Sequence, residues 1–151
     1  MIKREIRFRA WLPAIEAMGM VVNLNGSNRT DYDENMWSSI QAECHVNGVQ
    51  QFYSTSEFIL MQATGVKDKN NAPIYEGDIC RIHYYHDPNE PHVIGVVEWI
   101  DTGFSIKGVK NLNDQQITSV YSLRFKSGGN YGDYPAVEVI GNIHQHKHLL
   151  S

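Results

Sequence analysis

Between Glu5 and Ile143 the chain is a succession of short apolar stretches, each interrupted by residues that turn a backbone. Such punctuation favours short strands over long helices. The first stretch is the clearest. Glu5 to Trp11 alternates strictly, with Ile6, Phe8 and Ala10 on one side and Arg7, Arg9 and Trp11 on the other, the period of a half-buried strand. Pro13 stops it, and Met18 to Leu24 supplies a second strand that ends at the turn-forming Asn25-Gly26-Ser27-Asn28. Residues 31–43 fit two templates. Met36, Ile40 and Cys44 would line a helical face with Asp33 as N-cap, whereas Ile40, Ala42, Cys44 and Val46 alternate as a strand. Strand is favoured from about Ser39, because Asn47-Gly48 is a strong hairpin signal and Val49 to Tyr53 can return against it. Thr55-Ser56-Glu57 then introduces a strand over Phe58 to Met61.

Thr64 to Cys80 is the most turn-rich part of the first half. Thr64-Gly65 is expected to end the preceding strand, Gly65 supplying a positive φ. Lys67 to Asn71 is expected as a solvated loop, with Lys67, Asp68 and Lys69 either in water or against a partner. Pro73 fixes φ and biases Ala72 towards extended backbone. Glu76-Gly77-Asp78 then turns the chain into a strand at Ile79, so Gly65, Pro73, Gly77 and Asp78 are expected to have structural turn roles.

Further strands are expected at Ile79 to Tyr85, Val93 to Ile100, Phe104 to Val109, Ile117 to Phe125 and Val137 to Ile143. They are separated by the His86 to Pro91 loop, the Asp101-Thr102-Gly103 turn, the polar Asn111 to Gln115 and the glycine-rich Ser127 to Pro135. The expected fold is mainly β, with β-dominated α+β as its variant: a barrel-like C-terminal half of short antiparallel strands with an N-terminal β-hairpin region packed on it. It forms one domain over 1–151, divisible into a β region 1–63, a connector 64–78 and a barrel-like part 79–151.

A chain of 151 residues can bury a core without disulfide or metal staples. A net charge of -4 argues against a generally basic nucleic-acid binder but leaves room for a local basic patch. Cys44 and Cys80 form no CxxC pair, which suits reduced intracellular thiols. The N-terminal MIKREIRFRAW lacks the apolar region of a signal peptide, and no apolar run approaches a membrane span. A soluble cytoplasmic protein without membrane association is therefore expected.

Several groups invite chemistry. Asp68, Asn70, Glu76 and Asp78 suggest calcium, but the EF-hand spacing fails: Ala72 stands two residues beyond Asn70, and Pro73 occupies the place of the required Gly. On a strand, His144, His146 and His148 would present three imidazoles on one face as a weak metal candidate, set against a solvated tail. His83, His86 and His92 bracket the proline-containing loop without a catalytic zinc pattern. Arg7, Arg9 and Trp11 share a strand face that could contact single-stranded nucleic acid or a protein partner; the competing reading is long side chains covering apolar surface. Cys44-His45 would point to opposite faces of a strand, and Gly128, Gly129 and Gly132 match no phosphate-binding fingerprint. No cofactor is expected.

Three blocks carry a family likeness: REIRFRAW at Arg4 to Trp11, LMQATGVKDKNNAPIYEGDIC at Leu60 to Cys80, and EVIGNIHQHKHLL at Glu138 to Leu150. In these the chain resembles the YopX family, small proteins encoded by phages and prophages. It departs from the family pattern modestly, with Ala63 where an aromatic is usual and Cys80 where Val is common. The resemblance implies a mainly β fold with a barrel-like core, self-association, no established activity and residence in the bacterial cytoplasm. The functional expectation is a non-enzymatic accessory protein that forms homo-oligomers and binds a host or phage macromolecule. The alternatives are a single-stranded nucleic-acid-binding barrel using the first strand, and a metal-dependent hydrolase.

Overall fold

The computed structural model describes residues 6–25, 41–83, 92–123 and 136–151. The expectations for the 26–28 turn, for helix or strand over 31–40, for the 86–91 loop and for the 127–135 excursion fall outside these residues. The chain divides into two compact units, one over Glu5–Gln62 and one whose described residues all lie in Ala63–Ser151.

In the first unit, β1 (Phe8–Leu12), β2 (Ala17–Asn25), β3 (Gln41–Val46), β4 (Val49–Ser54) and the start of β5 (Ile59–Lys67) pair antiparallel in the order β4-β3-β2-β1-β5. Pro13 begins a single 3-10 turn over Pro13–Ile15, and Glu16, in the left-handed region at φ 49°, redirects the chain into β2. Asn47 and Gly48 both have positive φ, 49° and 82°, as a two-residue hairpin whose twist matches its strands requires. Val46 therefore pairs with Val49. Ala10, Leu12, Ala42, Cys44, Val46 and Phe58 form the core on one face of this sheet.

In the second unit, β5 continues through Thr64 and Gly65, contrary to the expectation that these residues end it. Gly65 has φ 82° and the register against β6 (Pro73–Tyr75) slips between Ala63 and Lys67, so the glycine makes an irregularity within the ladder. Thr64 steadies it, donating its hydroxyl to the Ile74 carbonyl at 2.9 Å and accepting the Val66 N–H at 3.2 Å.

Five further strands follow: β7 (Asp78–His83), β8 (Val93–Ile100), β9 (Gly103–Asn111), β10 (Val120–Ser122) and β11 (Ala136–Asn142). They pair antiparallel in the order β10-β9-β8-β7-β11. The expected mainly β architecture is what forms, but the described ladder has two ends, β10 and β11, and does not close into a barrel.

This sheet is covered on both faces, which explains the unbroken buried run Val93 to Val97 in β8. One face packs Cys80, Ile82, Val93, Val97, Ile106 and Val137 with Ile74. The other packs Ile79, Ile94 and Val96 with Ile140, Ile143, Leu149 and Leu150. The C-terminal segment is therefore partly buried, where a solvated tail was the alternative to a metal clasp. Among the described residues, no helix is long and apolar enough to cross a membrane.

Candidate functional site

The loop after β5 was expected in solvent, yet Asp68 retains only 8% of its exposure. Its Oδ1 accepts the N–H groups of Asn70 and Ala72 at 2.8 and 2.9 Å, and its Oδ2 accepts the N–H of Val139 at 3.1 Å. The Lys69 N–H donates to the Val137 carbonyl at 2.8 Å. Asp78 is buried and accepts the Tyr75 N–H at 2.8 Å, while Gly77, at φ 76°, donates to the Val97 carbonyl and accepts from Ile143, both at 2.9 Å. The segment is thus bonded to β8, to β11 and to the chain just beyond β11. Asp68 and Asp78 use carboxylate oxygens to satisfy backbone donors, the structural alternative to calcium ligation.

Docking of this loop brings Lys69 to the sheet, where β7 and β11 place Arg81 directly opposite Glu138. Glu138 Oε2 accepts from Lys69 Nζ at 3.0 Å and lies 2.8 Å from His83 Nε2. Arg81 Nη1 stands 3.9 Å from the same oxygen, beyond hydrogen-bonding range. The His83 ring meets the His92 ring edge-on, with centroids 4.4 Å apart.

Alternation explains the grouping. Arg81 and His83 follow Ile79 on its face of β7, and His92 precedes Ile94 on the matching face of β8. The Lys69 ammonium, followed by His83, holds the Glu138 carboxyl below the ordinary carboxylate range. Burial lowers the His92 pKa first, and the charges of His83, Arg81 and Lys69 push it further down. Two enclosed atoms of the cluster, Arg81 Nε and His92 Nδ1, have no hydrogen-bond partner among the described residues. A chain of net charge -4 thus gathers two permanent cations and two imidazoles around one carboxylate.

In the sequence His83 and His92 stand out only as flanking a loop, and no motif marks Glu138 or Arg81. The available signal was the two-residue spacing of Arg81 and His83 on an apolar strand.

The C-terminal histidines are placed differently from expectation. Strand β11 ends at Asn142, whose side-chain oxygen accepts the N–H groups of His144 and Gln145, at 3.1 and 3.0 Å, and turns the chain. His144, His146 and His148 therefore do not alternate on a strand. His146 Nδ1 accepts the Asn142 N–H at 3.2 Å, and its ring stacks over Gly141, where an added Cβ would approach it to 2.9 Å. His146 and His148 rings lie 6.2 Å apart. Among the described residues, no three His, Cys, Asp or Glu side chains converge as metal ligands.

In the first unit, Arg7 is exposed, Arg9 half-buried and Trp11 buried at 9%. Arg9 and Trp11 share a face as expected, but the Trp11 ring does not present an open stacking surface. Cys44 and Cys80 are buried and form no disulfide, and burial raises the Cys44 pKa.

A protein known from its crystal structure, EF1440 from Enterococcus faecalis, has the same fold, with a TM-score of 0.54 at 20% identity; the likeness covers 99% of this chain and 100% of that one. No curated protein matches the chain. The family model described as YopX protein matches residues 7–151, nearly the whole length, and the chain belongs to the YopX family.

Proposed function

We propose that the chain is a non-enzymatic binding module of phage or prophage origin, which self-associates through β4 in the bacterial cytoplasm and engages a host or phage macromolecule. The observation that carries this reading is the edge of the first sheet. Strand β4 lies at the end of the strand order, and β3 is its only pairing partner among the described residues. Its six residues, VQQFYS, contain no charge and no proline, and Val49 and Phe52 stand 60% and 57% exposed. Natural sheets usually blunt such edges with lysine, proline or a bulge, because unpaired N–H and C=O groups recruit another strand. A neutral strand meets its own copy antiparallel without like-charge repulsion, and the pairing is compatible with a two-fold axis.

Light scattering across a concentration series tests this. The expected result is a mass that rises towards a closed oligomer in the wild type and stays monomeric in Phe52→Lys. A wild-type mass that remains monomeric at every concentration overturns self-association.

A further inference from the structure

We infer that Lys69, Arg81, His83 and His92 form a binding site for an oxyanion of the phosphate class, beside the internal carboxylate of Glu138. Glu138 is the sole carboxylate within salt-bridge distance of Lys69, Arg81 or His83 among the described residues, and Lys69 and His83 already occupy its Oε2. Arg81 stays 3.9 Å from that oxygen, its Nε lacks a partner among the described residues, and its side chain is 37% exposed. The Lys69 side chain is 34% exposed beside it. Among the described residues the cluster therefore has more N–H capacity than its own acceptor can use, and the Lys69 and Arg81 side chains are both partly open to solvent.

A planar guanidinium fork with an adjacent ammonium suits tetrahedral oxyanions, which offer several acceptor oxygens where a single carboxylate offers two. His92 lies against this group, its pKa lowered by burial first and then by the charges of His83, Arg81 and Lys69. His83 is held by Glu138 and packed on His92, so the imidazoles form a wall beside the Lys69 and Arg81 side chains. The site lies in the second unit and does not depend on the β4 edge, so each proposal can fail without the other.

The test is titration of the full chain with inorganic phosphate and, separately, with a short oligothymidylate, followed through the His83 and His92 ring resonances and by calorimetry. Saturable shifts at both rings with phosphate are expected. Arg81→Gln should weaken binding about tenfold, as expected for loss of a charge-assisted contact, and Glu138→Gln should tighten it by removing the competing anion. Binding of phosphate alone identifies a free phosphate or monoester as the ligand chemistry. Salt-sensitive binding of the oligonucleotide as well extends it to the diester. If Arg81→Gln does not fold, Lys69→Gln serves in its place. Absence of ring shifts with both probes, or undiminished affinity in the folded variant, overturns the site.

Discussion

Asp68 Oδ2 accepts the backbone N–H of Val139 at 3.1 Å, across 71 residues of chain. With its Oδ1 bonded to Asn70 and Ala72, one buried carboxylate both closes the loop after β5 and fastens it to β11. Asp68 thereby helps to place Lys69 beside Glu138, together with the Lys69 N–H bond to the Val137 carbonyl at 2.8 Å.

Asp68→Ala removes all three accepted bonds and leaves buried N–H groups unsatisfied. The expected cost is about 3 kcal/mol in urea unfolding, since each orphaned buried donor carries a desolvation penalty. The Lys69–Glu138 contact should loosen in the same variant. A loss below about 1 kcal/mol would contradict the assigned role.

Gly95 and Gly103 should respond oppositely to alanine. A Cβ at Gly95 would stand 2.5 Å from the Lys107 carbonyl oxygen and 2.6 Å from Ile106 Cγ2, so the β8–β9 ladder must shift. Gly103→Ala meets nothing within 4 Å. Gly95→Ala is expected to cost about 2 kcal/mol or more, and Gly103→Ala to stay within about 0.5 kcal/mol of wild type. Equal midpoints and slopes in denaturant for the two variants would refute the close approach.

Acid should destabilise the second unit in two stages. The folded pKa of His92 lies below its unfolded value, so the unfolded chain binds more protons and stability falls as pH drops below about 6.5. Glu138 is also depressed: its contribution is present above the unfolded carboxylate pKa, near 4.3, and is lost as pH falls through the lower folded value. Stability measured against pH should lose its upper stage in His92→Phe and part of its lower stage in Glu138→Gln. Unchanged profiles would show that these groups titrate alike in both states.

Leu149 and Leu150 pack against Ile79, Ile94 and Val96. Replacing both leucines with alanine should cost about 2 kcal/mol, less than for fully buried leucines because both sites are only partly enclosed. Thermal unfolding is the readout. A variant as stable as the wild type would restore the picture of a solvated tail.

Much of the fold is legible locally. The strict alternation of β1, the Asn47-Gly48 hairpin and the Asp101-Thr102 reversal between β8 and β9 each rest on side-chain periodicity or on residues that tolerate positive φ. The errors share one cause. Thr64-Gly65 carries turn chemistry, but β6 supplies a partner beyond it, so the ladder continues through an irregularity. The histidine alternation after Ile143 is a valid strand pattern, but Asn142 caps the strand and no ladder extends there.

The candidate site was hidden for the same reason. His83 and Glu138 are 55 residues apart in sequence and 2.8 Å apart in space, and only the β7–β11 register decides that they meet. Sequence alone determined the class of fold, the positions of most strands and turns, and membership of the YopX family, because periodicity, turn residues and motif blocks are local properties. Tertiary structure decided that Asp68 is buried, that the C-terminal leucines cover the sheet and that a cationic cluster forms around one carboxylate. These outcomes depend on which distant strands pair and in what register, and a shift of one residue would turn Glu138 to the opposite face of the sheet.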